Sequence, residues 1–281
     1  MKSMLRFGPA GMPIALKGKS LVEGIKYCIS KGLLAFEIEW VRGVRVRKGI
    51  ENDVKKIVKA NDVLLSAHAP YWINPCSRDA KIIATTLRNL KQCAIAASKL
   101  DVTRVVFHPG YYGGYSEQEA FNNAVELLKE FFEWQEQQGL SIVFAAETTG
   151  KKSQFGSLNE VLKLCKKFKL IEPCIDFAHL HARENGAIKS KEDYEAIIKK
   201  VADELGKKAL ANLHIHFSGI KYGKTGEREH LPIKSKSPDF KQLAELMVEK
   251  NYAFNIICES PLLDIDALKM LQLIEKLKRE R

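Results

Sequence analysis

Six side chains that can bind a cation recur along this chain, each at the end of a short apolar run: His68, His108, Glu147, Asp176, His214 and Glu259. The fourth opens the stretch Asp176-Phe177-Ala178-His179-Leu180-His181, directly after the apolar residues 170–175. A carboxylate and an imidazole so close together, on the loop leaving a buried strand, can face one ion. Alone, the pair reads more simply as a helix cap and an exposed histidine. The recurrence changes that reading, because all six residues are His, Asp or Glu and none is Lys or Arg. So many carboxylates and imidazoles in one cleft are electrostatically unstable without cations. Metal binding is the simplest account. A nitrogen and oxygen donor set suits Zn2+ best, with Mn2+ or Fe2+ as alternatives.

What would gather these residues is a repeating pattern of elements. Strand-like runs at residues 4–7, 33–38, 63–67, 103–107, 141–146, 170–175, 209–213 and 253–258 alternate with helical patterns at 20–31, 51–61, 78–100, 116–138, 158–168, 190–205, 239–250 and 264–278. Ser20 is placed to cap the first helix, and Gly139 and Gly206 stop two others. A long loop covers residues 218–237. Eight strand-then-helix units without a linker or low-complexity tract predict one domain over residues 1–281, of α/β class, folded as a (β/α)8 TIM barrel. The C-terminal ends of such strands converge on one face, where the active site belongs. A doubly wound open sheet is the runner-up, but Gly8-Pro9-Ala10-Gly11 does not match the GxGxxG phosphate loop.

Composition bounds the partners. Hydrophobic residues make up 46% and charged residues 28%, an ordinary balance for a folded soluble chain. No apolar run reaches membrane-spanning length, and the start, Met1-Lys2-Ser3-Met4-Leu5-Arg6, lacks the apolar core of a signal peptide. A cytoplasmic protein that does not enter membranes is expected. The six cysteines form no CxxC pair and lie mostly in apolar runs, so they read as buried free thiols. The formal net charge of +11 fits a polyanionic partner such as nucleic acid. It fits equally a Lys/Glu-rich surface of the kind that carries ion-pair networks.

Taken together, Ser66-Ala67-His68-Ala69-Pro70-Tyr71-Trp72-Ile73-Asn74, Phe107-His108-Pro109-Gly110, Glu147-Thr148-Thr149-Gly150, Asp176-Phe177-Ala178-His179, His214, Gly226-Glu227-Arg228-Glu229-His230 and Cys258-Glu259 span nearly the whole chain. In these motifs the chain resembles the endonuclease IV family of apurinic/apyrimidinic endonucleases. The resemblance implies a xylose-isomerase-like TIM barrel with three zinc ions. It implies cleavage of the phosphodiester 5′ to abasic sites in double-stranded DNA by metal-activated hydroxide. His68, His108 and Glu147 would hold a first ion. Glu147, as bridging carboxylate, with Asp176, His214 and Glu259 would hold a second. The third falls to His179, His230 and a carboxylate that is either Glu227 or Glu229, with Glu227 preferred because adjacent side chains seldom converge. Glu147 orients the attacking hydroxide, and Glu259 is a candidate base. His181 and His216 are left as supporting or surface groups.

The same resemblance makes Tyr71 and Trp72 an intercalating wedge beside the flipped-out nucleotide. Without it, the pair reads as a cap on the barrel. Arg42 and Arg45, in the loop after the second strand, are placed to reach phosphates, and Arg47 reads as a solvated charge. Two segments depart from the family: Gly8-Pro9-Ala10 where it has His-Val-Ser, and the altered Lys151-Lys152-Ser153-Gln154 after the bridging Glu. The main alternative is a sugar isomerase or epimerase on the same barrel, for which one divalent ion on Glu147, Asp176, His214 and Glu259 would suffice. A DNA-damage binding protein with a degraded metal centre is a further alternative. The protein is expected to act as a monomer.

Overall fold

The computed structural model describes residues 4–281; the first three, part of the start inspected above for a signal peptide, lie outside the described residues. Its strands are β1 (Arg6–Pro9), β2 (Ala35–Glu39), β3 (Leu64–His68), β4 (Arg104–Phe107), β5 (Val143–Glu147), β6 (Ile171–Asp176), β7 (His214–Phe217), β8 (Gly219–Gly223), β9 (Gly226–Leu231) and β10 (Asn255–Cys258). Eight of them pair in parallel in the order β1-β10-β7-β6-β5-β4-β3-β2, while β8 and β9 form a separate antiparallel hairpin. The circuit closes between β1 and β2 through a parallel bridge, Ala10 to Glu37, where Gly11 N–H donates to the Glu37 carbonyl at 2.9 Å. Gly8 permits this closure: a Cβ there would lie 1.8 Å from the Ala35 carbonyl oxygen. The result is the predicted TIM barrel.

The helices are α1 (Leu21–Ser30), α2 (Glu51–Ala60), α3 (Ala80–Leu100), α4 (Glu117–Gln137), α5 (Leu158–Lys167), α6 (Phe177–Arg183), α7 (Lys191–Leu205), α8 (Phe240–Lys250) and α9 (Leu263–Arg279). Their starts are written in the sequence. Ser20, Ser116 and Ser157 each close a reciprocal capping box with a glutamate three residues on, Glu23, Glu119 and Glu160. The outward faces of the strands, including Phe36, Leu65, Phe107, Phe144, Ile175 and Phe217, pack beneath these helices as the main apolar core. The inward faces obey the two-residue period of a strand. Deep in the barrel some are small and apolar, as at Val106, Ala145 and Cys174, and others are polar and buried, as at Glu37, Ser66 and His214. Towards the C-terminal ends they become charged.

The first strand, read at 4–7, runs Arg6–Pro9, and two further elements also differ. The seventh strand, read at 209–213 with His214 closing it, begins at His214 and ends at Phe217; residues 207–210 are a short 3-10 turn instead. Ala209 and Leu210 are apolar because they pack on the core from outside the barrel. The true strand alternates His214 and His216 inward with Ile215 and Phe217 outward, so its inner face carries no apolar signal. The long loop 218–237 also contains the β8–β9 hairpin. Among the described residues no helix is long and apolar enough to cross a membrane. All six cysteines are free, five of them buried.

Candidate metal centre

Glu147, the last residue of β5 and fully buried, is the hub of the site. Its Oε2 lies 3.1 Å from Nε2 of both His68 and His108. Its Oε1 lies 3.1 Å from His179 Nδ1 and 3.2 Å from His216 Nδ1. The two oxygens of one carboxylate therefore face two different sets of imidazoles. Among the described residues three candidate groups adjoin at the rim, His68, His108 and Glu147; Glu147, Asp176, His216 and Glu259; and His179, His230 and Glu259; a fourth, Cys174, His214 and His216, lies deeper. Within each group the candidate donor atoms lie within 4.8 Å of one another. Glu227 adjoins the third group, 3.6 Å from His179 Nε2 and 3.8 Å from His230 Nε2. A cavity of about 280 Å3 opens over them, edged by Tyr71, Tyr111, Lys151 and Gln154.

Local structure aims each donor. Asp176 ends β6 and caps α6, with its Oδ1 accepting from His179 N–H at 2.7 Å, so the turn that starts the helix carries His179 back over the barrel. His68 turns Nδ1 to the Ala69 carbonyl at 2.8 Å and presents Nε2 to Glu147. His179 places Nδ1 3.0 Å from the Thr148 carbonyl, leaving Nε2 towards Glu227. His230 Nδ1 meets Ser218 Oγ at 2.8 Å. Imidazoles held in this way by main-chain or hydroxyl partners on one nitrogen are suited to ligate through the other.

Electrostatics point the same way. Burial would raise the Glu147 carboxyl, yet His108, His216 and His179 hold it well below the usual range. Burial opposes charge on His68, but Glu147 pushes it up to about 10. Burial, with Glu259 and Glu147 nearby, raises Asp176 well above an ordinary aspartate. Asp176 Oδ2 and Glu259 Oε2 are buried with no hydrogen-bond partner. Unpartnered buried carboxylate oxygens are costly, and a cation between the imidazoles and these oxygens would satisfy them. The residues present fit metal ions.

His68, His108, Glu147, Asp176, His179, Glu227, His230 and Glu259 are brought together. His214 is not. Register pairs Cys174 with His214 and Asp176 with His216, so His214 lies one inward layer deeper, by roughly 7 Å of strand. There it contacts Glu37 Oε2 at 3.1 Å, and burial pushes it down to about 4. His216, assigned a supporting role from sequence, occupies the place expected for His214. Had the strand been set two residues later, the same alternation would have found it. Glu229 points outward to Lys221 at 2.8 Å. His181 is bound to Ser237 and the Ile188 N–H, away from the cluster.

Tyr71 and Trp72 stand at the rim, 53% and 55% exposed, and the Tyr71 ring contacts both His68 and His108 edge-on or tilted at 5.7 Å. Arg42 and Arg45 are exposed on the loop after β2. Arg45 lines a neighbouring cavity of about 350 Å3 with Trp40 and Lys19, not the metal cavity. Two acids on β2 escaped the sequence reading: Glu37, wholly buried, and Glu39, level with His68. The signal was present, since Glu37 and Glu39 alternate with Phe36 and Ile38.

A parallel eight-stranded barrel with imidazoles and carboxylates gathered at its C-terminal rim defines the α/β barrel class. Residues 25–279 match the xylose isomerase-like TIM barrel family, and the chain belongs to it. Uncharacterized protein MJ0133 of Methanocaldococcus jannaschii is 33% identical over 98% of this chain and 98% of its own. The probable endonuclease 4 of Aquifex aeolicus is 25% identical over 66% of this chain and 67% of its own. Two solved structures superimpose with TM-scores of 0.69. One is a D-tagatose 3-epimerase-like protein, 21% identical, covering 100% of this chain and 98% of its own. The other is endonuclease IV from Thermus thermophilus, 16% identical, covering 100% of both. The fold is thus common to endonuclease IV and to sugar epimerases.

Proposed function

We propose that this protein is a metal-dependent phosphodiesterase that cleaves duplex DNA 5′ to abasic sites. The observation that carries the reading is the Glu147 carboxylate, whose two oxygens serve two ligand groups, with a third group adjoining. One ion needs no such hub. The relatives named as probable endonuclease 4 support the same reading. Zn2+ is the expected metal, held by His68, His108 and Glu147; by Glu147, Asp176, His216 and Glu259; and by His179, His230 and Glu227. When bound, the ions would supply Lewis-acid activation of water and of the phosphodiester.

The chain's own residues do the rest. Glu147 sets the spacing of the first two groups and, with ions bound, would orient the attacking hydroxide. Glu259, which touches His216 through Oε1, is the candidate base at the edge of the same group. Tyr71 and Trp72 offer exposed apolar rings at the rim, as a wedge into a gapped base stack requires. Arg42 and Arg45 contribute phosphate contacts from the neighbouring loop, and the net charge of +11 favours a polyanion.

A sugar isomerase or epimerase is the second reading, favoured by the self-sufficient group Glu147, Asp176, His216 and Glu259. One experiment separates them. The purified protein is incubated with an abasic duplex and an intact control, with and without chelator, and product ends are identified. Chelator-sensitive cleavage confined to the abasic strand is expected, with about three ions per chain. No cleavage, with about one ion per chain, would support the sugar enzyme.

A further inference from the structure

A histidine that ligates through one ring nitrogen must dispose of the other. His68 and His230 turn it to neutral partners, the carbonyl of Ala69 and the hydroxyl of Ser218, and His179 to the Thr148 carbonyl beside Glu147 and Asp176 of the cluster itself. His216 differs. Its Nδ1 faces the cluster, 3.2 Å from Glu147 and 3.1 Å from Glu259, while its Nε2 stands 3.0 Å from Oε1 of Glu37. Glu37 is the midpoint of β2 and is 0% exposed. A carboxylate buried inside a barrel costs several kcal/mol unless it is partnered. Its Oε2 accepts from Ser66 Oγ at 2.7 Å and lies 3.1 Å from His214 Nε2. Oε1 is left facing His216. Neither Oε1 nor His216 Nε2 has a fully aligned hydrogen bond to any group.

We infer that Glu37 is a positioning residue of the metal centre: it accepts the Nε2–H of His216, fixes the tautomer that presents Nδ1, and strengthens that nitrogen as a ligand. The inference rests on reading Glu147, Asp176, His216 and Glu259 as ligands of one ion. Carboxylate–histidine–metal relays of this kind orient the ring and raise its basicity, and their loss weakens metal binding about 10–100-fold. His214 and Ser66 partner the far oxygen of Glu37, and the near one is the oxygen that faces His216. A solely structural Glu37 would matter through Ser66 and His214 instead, and the two roles separate experimentally.

Wild type, Glu37→Gln and Ser66→Ala are stripped of metal and titrated with Zn2+ against a chromophoric chelator. They are then titrated with Co2+ while its visible absorption is recorded, and the metal-free proteins are melted. Glu37→Gln is expected to bind its weakest ion about 10–100-fold less tightly and to shift the Co2+ spectrum. Cleavage lost at limiting Zn2+ returns in excess. Ser66→Ala is expected to lower the melting temperature while binding both metals as the wild type does. Wild-type affinity and spectrum in Glu37→Gln, with only a lower melting temperature, would overturn the inference. If Glu37→Gln fails to fold, Glu37→Asp, which withdraws the charge from His216, is read the same way: weakened binding supports the inference and wild-type binding overturns it. A wild-type protein that binds no metal would overturn the ligand reading beneath it as well.

Discussion

Two histidines two residues apart have opposite fates in this protein. His216 reaches the carboxylates of Glu147 and Glu259, whereas His214 is sealed in the barrel against Glu37. His216→Ala should therefore remove about one ion per chain, as loss of a ligand from a small site does. His214→Ala should keep its metals but lose about 1–3 kcal/mol of stability, the usual cost of stripping a buried group of its hydrogen-bond partner. Metal analysis and chemical denaturation of the two variants check this; equal metal loss in both would be the contrary result. At Glu147 the expectation is sharper. Glu147→Gln should fold and still bind abasic duplex in a mobility-shift assay, with no measurable turnover. Residue types were legible in the sequence here, since ligand-type residues at successive strand ends are conspicuous. Which of two histidines in Leu213-His214-Ile215-His216-Phe217 faces the cluster depends on register with β6, and register is a property of the assembled sheet.

The β8–β9 hairpin shows what an irregular element adds. In a regular strand Glu227 and Glu229 would share a face and Glu227 and His230 would not. A bulge in the pairing, between Lys221 and Tyr222, lets Arg228 go unpaired and returns Glu227 and His230 to one side. His230→Ala and Glu227→Ala should each lower the metal count by about one, while Glu229→Ala should not change it. Elemental analysis of the three variants decides, and full occupancy in His230→Ala would show a third site built otherwise. The preference for Glu227 was reachable by elimination, because adjacent side chains diverge; the bulge itself was not. The Tyr71–Trp72 turn is a second such element. Tyr71→Ala with Trp72→Ala should leave metal content intact and reduce discrimination between abasic and intact duplex by about 10-fold, within the range set by base–aromatic stacking. Competition binding with both duplexes measures it. Lost metal with unchanged discrimination would make the pair structural.

At the scale of the whole molecule, alternation of short apolar runs and capped helices made the barrel legible, because eight such units close in few ways. The polar interior was less so: Glu37, Ser66, His214 and His216 share space that composition rules assign to apolar residues. That interior has a consequence for pH. Glu147 raises His68 to about 10 against the opposing effect of burial, and His179 and His216 are raised well above ordinary histidines by the acids around them, again against burial. These imidazoles carry protons at neutral pH until metal displaces them. Metal loading at pH 7 should release protons, and affinity should climb with pH. For the metal-free protein the sign is reversed. The raised His68 stabilises folding below its unfolded pKa near 6.5, and that contribution is lost as pH rises through about 10. Calorimetric titration with Zn2+ in buffers of different ionisation enthalpy counts the protons; heats independent of buffer would contradict the assignment.

The seam between β1 and β2 carries a last implication. Glu37 closes the barrel with its carbonyl, through Gly11, and faces His216 with its carboxylate. Sealing the barrel and finishing the ion site are thus acts of one residue. Its carboxylate partners lie on β3 and β7, whereas its carbonyl partner follows β1, so this one residue ties three strands to the candidate ion site. A substitution at Glu37 would therefore be felt at the seam of the barrel and at its polar interior together.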